Sequence, residues 1–363
     1  MVNFLRNRVT RVINGDEKPG LLFAPLFMCE KIYGAGVIFK NFLYETGALP
    51  TKKAPCKVIC VGALTVGGAG KTPFVELLAK KLSTKKVGIL SRGYGSRSGV
   101  KIHVVSDGTT LAPPPPVSAD EPYMLARKLG GVPVVCAPKR IAGARELVEK
   151  FDVETIIMDD GFGHRKIERD LNILIVSAVR PFGNGRLLPA GPLREPVAEA
   201  NRAEIIVISG GENVPDSEFK KTENFIRNFT APDKYVIYAK GAITRFTNRD
   251  GKNQPTPQKP VFAFSGVAQP ERFLESLNSL GVNTIEHLDF DDHHHYTASD
   301  IAQISSLAKS AGAKFLVTTE KDSARLANSL NDFGLTLLTA VYEVRITKEE
   351  DVLDKALASL YFQ

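Results

Sequence analysis

The residues best equipped for chemistry stand in one octet, TVGGAGKT (65–72), between an apolar run, KVICVG (57–62), and an apolar-periodic stretch that follows Pro73. A glycine-rich turn leading from strand to helix is the setting of a phosphate-binding loop. Gly67, Gly68 and Gly70 let the backbone of the turn, with Thr65, Val66 and Ala69, approach phosphate oxygens. Lys71 is placed to reach β- and γ-phosphates, and the hydroxyl of Thr72 to hold Mg²⁺. Pro73 starts the helix, whose positive end adds to the anion site. The usual pattern opens with glycine six residues before the lysine, and Thr65 stands there instead. Out of this context the octet would be an ordinary glycine-rich turn.

A phosphate loop needs an acidic metal partner at the end of another strand. ETIIMDDGFGH (154–164) supplies Asp159 and Asp160 after an apolar run. The alternative for two adjacent carboxylates is a turn or a helix cap. The Asn-Lys-x-Asp string by which GTPases read guanine is absent. The lysine that dimerising partition-type ATPases carry just before their two glycines is replaced by Val66, which argues against an ATPase switch.

The elements that must position these residues follow from periodicity. KVICVG (57–62), KVGIL (86–90), VPVVCA (132–137), ETIIMD (154–159), LNILIV (171–176) and EIIVIS (204–209) read as strands, with helices expected near 73–82, 122–129 and 138–150. Alternation of this kind implies βαβ units and a parallel sheet flanked by helices. Around 234–262 the texture becomes β-rich and then turn-rich, after which alternation resumes through VFAFSG and KFLVTT.

The chain has 363 residues, 43% hydrophobic, and a net charge of +7. It is long enough for two medium domains. The mild basicity suits an acidic partner, but no basic–aromatic cluster marks a nucleic-acid binder. Four cysteines make no disulfide framework; Cys56 and Cys60 lack a second pair for a metal site. LLFAPLFMC (21–29) and IYGAGVIF (32–39), broken by Glu30 and Lys31 and preceded by Arg6, Arg8 and Arg11, are each too short to span a membrane. They fit a helix lying in a membrane interface or an arm packed on the domain.

Beyond the loop, the chain resembles the tetraacyldisaccharide 4′-kinase family of Gram-negative bacteria. The resemblance rests on VGALTVGGAGKTP (61–73), LSRGYGSRS (90–98), ADEPYMLA (119–126), MDDGFGHRKIERDL (158–171), FGNGRLLPAGPLREP (182–196), SGVAQPERF (265–273), FDDHHHYT (290–297) and TTEKD (318–322), in order across about two-thirds of the chain. It implies ATP and Mg²⁺ as cofactors. It also implies transfer of the γ-phosphoryl group to the 4′-hydroxyl of a tetraacyldisaccharide 1-phosphate, giving lipid IVA in lipid A biosynthesis. Such a lipid stays in its bilayer, since each buried CH₂ contributes about 0.8 kcal/mol. The implied location is therefore the cytoplasmic face of the inner membrane, with no nucleic-acid partner. The alternatives are a phosphate-loop kinase of another acceptor and a membrane-associated ATPase switch.

The resemblance also assigns roles. Asp120 is expected as the base that takes the hydroxyl proton, with a helix cap as its bland alternative, and His293 as its partner. Glu121 joins Thr72, Asp159 and Asp160 as a metal candidate. Arg92 is expected at the γ-phosphate or the substrate, Arg194 at the 1-phosphate, and His164 near the substrate. Ala63 and Gly163 stand where the family usually has Asn and Gln. The expected architecture is a phosphate-loop α/β fold of two lobes: a membrane-associating segment (1–48), a kinase core (49–232), a β-rich linker or hinge (233–260) and a second lobe (261–363).

Overall fold

The computed structural model describes residues 11–13, 17, 20, 23–327 and 333–361; Arg6 and Arg8 lie outside them. Helix α1 (Ala24–Glu45) leads into a 13-stranded sheet. In the first half, β1 (Lys57–Gly62), β2 (Val87–Ser91), β4 (Pro133–Cys136), β5 (Thr155–Asp159), β6 (Leu171–Ser177) and β7 (Ile205–Gly211) run parallel, and β3 (His103–Asp107) closes the edge antiparallel to β4. These strands are near-continuous apolar runs because helices cover both faces. α2 (Lys71–Lys81), α3 (Asp120–Lys128) and α9 (Glu350–Ser359) pack Phe74, Leu78, Leu125 and Leu353 over one face. α4 (Arg140–Phe151) and α5 (Asp216–Arg227) cover the other, around Leu147 and Phe219.

In the second half, β10 (Val261–Ser265), β11 (Thr284–Asp289) and β12 (Phe315–Thr319) are parallel, with α6 (Pro270–Ser279), α7 (Ala298–Ser310) and the short α8 (Glu320–Arg325) around them. Two 13-residue strands join the halves: β8 (Tyr235–Thr247), which carries β9 (Asn253–Gln254), and β13 (Thr336–Lys348). The order across the sheet is β11-β10-β12-β13-β8-β7-β6-β1-β5-β2-β4-β3.

The seam between β8 and β13 is antiparallel, and it inverts the second half relative to the first. β7 pairs with Tyr235–Gly241 of β8, while β12 pairs with Thr336–Ala340 of β13. Ala340 lies opposite Phe246, well along β8 from the stretch β7 occupies. The two parallel half-sheets therefore point their carboxyl ends toward each other. Carboxyl ends of parallel strands are where α/β proteins bind ligands, and this topology places the two sets face to face.

Candidate active site

β1 and β5 are neighbours, with Val61 opposite Asp159, so the phosphate loop and the acidic pair leave the sheet side by side. Close packing here demands glycine: a Cβ on Gly62 would lie 2.6 Å from that of Phe162, and one on Gly161 would lie 2.6 Å from Met158. Gly67 and Gly70 adopt φ of 97° and 87°, left-handed values that turn the loop. Thr65 needs no glycine. It forms an antiparallel bridge with Leu193, which accounts for the missing first glycine of the pattern. The Val66 N–H is committed to the Pro192 carbonyl at 2.8 Å, so Val66 shapes the loop through the 182–196 segment. Lys71 Nζ lies over the loop, donating to the Gly67 carbonyl (3.3 Å) and 3.7 Å from Asp160.

The two aspartates are in different states. Asp160, at φ 49°, accepts two hydrogen bonds from Arg194 (2.8 and 3.0 Å). Burial raises its pKa, but Lys71 and Arg194 outweigh burial and hold it below the usual carboxylate range. Arg194 also donates to the Thr65 carbonyl at 2.9 Å, so it ties the acidic loop to the phosphate loop. Asp159 is 2% exposed, and its Oδ1 has no hydrogen-bond partner. Burial first, then Glu121 and Asp160, pushes its pKa up to about 7. An orphaned buried carboxylate oxygen beside a phosphate loop fits a cation. Thr72 Oγ1 donates to Glu121 Oε2 (3.1 Å), and Glu121 is also paired with Lys321. Among the described residues no group of three His, Cys, Asp or Glu side chains forms a ready metal cage.

Asp120 is the first residue of α3, whose N-cap is Ala119 without any side-chain cap bond. Asp120 is thus no cap. Its Oδ2 lies 2.8 Å from His293 Nδ1 and 2.8 Å from Arg325. Burial raises the Asp120 pKa; the His293 hydrogen bond and the Arg325 charge more than reverse this. That same hydrogen bond raises the His293 pKa. His293 sits at φ 61° in the turn after β11, on the second half of the sheet. Its neighbour His294 points elsewhere, to Asp300 (3.1 Å) and stacked on Phe290. The three consecutive histidines therefore do not face one ion.

The remaining expected residues form a rim. Arg92 is exposed at the end of β2, and its charge helps lower the pKa of both Arg140 and His164. His164 is half-buried; burial, then Arg140 and Arg169, lowers its pKa to about 4, so it is neutral near pH 7. Arg169 braces this turn by donating to the Gly161 and His164 carbonyls (2.9 and 2.6 Å), and Asp170 accepts from the Val58 N–H. A side chain at Gly163 would meet Glu195 at an ordinary 3.8 Å.

α1 is bound to this site. Tyr33 Oη donates to the Arg194 carbonyl (2.9 Å), Lys40 pairs with Glu195 (3.2 Å), and Glu30 accepts from Arg186 (2.8 Å). No site role was expected from the sequence for residues of α8. Arg325, Lys321 and Glu320 all reach α3; TTEKD (318–322) includes the last two but ends before Arg325.

The sequence matches the family described as tetraacyldisaccharide-1-P 4′-kinase over residues 22–361. A tetraacyldisaccharide 4′-kinase of Syntrophus aciditrophicus (strain SB) is 37% identical over 327 residues, covering 86% of each chain. One from Anaeromyxobacter dehalogenans (strain 2CP-C) is 36% identical over 351 residues, covering 94% of this chain and 93% of its own. The crystal structure of LpxK from Aquifex aeolicus in complex with ATP superposes with a TM-score of 0.77 at 32% identity, covering 94% of this chain and 100% of that one. With a phosphate loop, an acidic pair beside it and matches along nearly its whole length, the chain belongs to the tetraacyldisaccharide 4′-kinase family.

Proposed function

We propose that this chain transfers the γ-phosphoryl group of ATP to the 4′-hydroxyl of a tetraacyldisaccharide 1-phosphate at the cytoplasmic face of the inner membrane. The observation that carries the reading is the placement of Asp120–His293 across the junction of the two half-sheets, next to the phosphate loop. The bond formed joins the acceptor oxygen to the γ-phosphorus; the bond broken is that to the β,γ-bridging oxygen, and ADP leaves. The acceptor proton goes to the Asp120–His293 pair. Lys71 and the loop backbone hold the phosphates, and Arg92 supplies positive charge from the rim. Thr72 and Asp159, with Glu121 and Asp160 around them, are the groups to hold Mg²⁺, which when bound neutralises charge on the β- and γ-phosphates. Arg194 keeps Asp160 in place beside the phosphate loop, and because both its Nη groups are taken by Asp160 and the Thr65 carbonyl it is not assigned the 1-phosphate contact expected from the sequence; His164 offers a neutral imidazole to the sugar.

The membrane reading rests on α1. Its buried residues are Glu30, Gly34, Val37 and Asn41, while Met28, Ile32, Ile38, Phe39 and Phe42 are exposed. This is inverted amphipathicity, a face suited to lipid. No described helix is long and apolar enough to cross a membrane. α1 thus lies on the bilayer and brings the site to the lipid.

Transfer of ³²P from γ-labelled ATP to tetraacyldisaccharide 1-phosphate in micelles tests the reading. The wild-type chain labels the lipid, and Lys71→Ala and Asp120→Ala each reduce labelling by at least about 10²-fold. ATP hydrolysis without labelled lipid would remove the acceptor assignment.

A further inference from the structure

α3 and α8 carry matched charges. Asp120 meets Arg325, Glu121 meets Lys321, and Lys128 meets Glu320 at 2.9 Å. α3 belongs to the phosphate-loop half of the sheet, and α8 follows β12 in the other half. Lys128 also pairs with buried Glu76 of α2 (2.6 Å) and donates to the Tyr342 carbonyl of β13 (3.1 Å).

Arg325 is the most constrained member. Its side chain is 1% exposed. Nε donates to Asp120 Oδ2 at 2.8 Å, and Nη1 donates to the Gly266 carbonyl (2.7 Å) and to Asp322 Oδ1 (2.9 Å). Asp322 is itself fully buried and fixed: Oδ1 accepts from Tyr296 Oη (2.9 Å) and the Gly266 N–H (3.1 Å), and Oδ2 from Thr319 Oγ1 (2.6 Å). A planar guanidinium held on one edge by Asp322 and Gly266 can present its other edge in one orientation only. That edge meets the oxygen of Asp120 that also bonds His293.

We propose that α8 is a charged clasp on α3 in which Arg325 is a positioning residue, fixing the Asp120 carboxylate against His293. The inference rests on the reading of Asp120 as the group that handles the acceptor proton. It gives the TTEKD segment a role: Thr319 fixes Asp322, Asp322 holds Arg325, Arg325 holds Asp120, and Lys321 and Glu320 secure the same helix.

The test is a cycle of Arg325→Ala and Asp120→Asn in the full-length chain, assayed by transfer to tetraacyldisaccharide 1-phosphate in mixed micelles. Arg325→Ala should lower kcat by about 10²-fold, the scale of an ångström of misplacement, with the KM for ATP changed less than about threefold. Added to Asp120→Asn it should cost less than about threefold more. Millimolar methylguanidine should restore at least about tenfold of kcat to Arg325→Ala and none to the double variant. An unchanged kcat in Arg325→Ala, or an equal loss in the Asp120→Asn background, would overturn the clasp. Full activity of Asp120→Asn would instead overturn the reading of Asp120 itself. Should Arg325→Ala fail to fold, Arg325→Met with Asp322→Asn leaves no unpaired buried charge and enters the same cycle.

Discussion

At the scale of single residues, the site is built from carboxylates in contrasting states. Asp160 and Asp120 have cationic partners; Asp159 has a buried oxygen with none. A carboxyl whose folded-state pKa is raised to about 7 folds more readily with its proton on. Its penalty is absent below the unfolded value near 4, grows as pH rises, and is complete above 7. It amounts to at most about 4 kcal/mol. Asp159→Asn should therefore raise the melting temperature in EDTA at pH 8 by a few degrees, and flatten the fall in stability between pH 4 and 8. The same variant should lose at least about 10²-fold in transfer with Mg²⁺ present. Thermal unfolding across pH, beside the kinase assay, separates the two effects. A variant less stable than wild type at pH 8 would mean that Asp159 is ionised and satisfied without metal.

At the scale of elements, α1 argues for point substitution over truncation. Removing residues 1–48 would also remove the contacts of Tyr33, Glu30 and Lys40 with the segment that braces the phosphate loop. Ile32, Phe39 and Phe42 are 71, 62 and 56% exposed, so replacing all three with Gln should leave thermal stability nearly unchanged. Each loses roughly 1.5–3 kcal/mol of burial in lipid, enough to lower binding to anionic vesicles by at least about 10²-fold. Co-sedimentation with vesicles checks this, and undiminished binding would place the lipid contact elsewhere. The sequence made some elements plain and hid others. β1 and β5 are uninterrupted apolar runs, and their ends carry the loop and the acidic pair, so both were legible. β3 includes His103, Ser106 and Asp107 on a sheet edge, and gave no apolar signal. α1 read as two blocks because Glu30 and Lys31 interrupt its apolar run, whereas the Glu30 carboxylate turns inward to Arg186 and the Leu187 N–H. Arg325 gave no signal because Asp120 and Gly266, the partners that tie it to the site, lie 205 and 59 residues away.

At the scale of the whole molecule, the antiparallel seam turns the two half-sheets toward each other and so brings His293 against Asp120. Gly241 of β8 leaves no room for a side chain in the seam: a Cβ there would come within 2.1 Å of the Tyr342 hydroxyl and 2.4–2.6 Å of its ring. Tyr342 is also where β13 grips the clasp, since its N–H donates to Glu320 (3.0 Å) and its carbonyl accepts from Lys128. Gly241→Ala must push the ring aside, an overpacking cost of about 1–3 kcal/mol. We expect a melting temperature lower by several degrees and a reduced kcat, as strain at Tyr342 passes through α8 and α3 to Asp120. Tyr342→Val in the Gly241→Ala background makes room, so the double variant should be more stable than the sum of the two single losses predicts. Thermal unfolding of the four proteins measures the coupling. Strict additivity would mean that Tyr342 does not fill the space over Gly241, and the link from seam to site would have to run through another residue.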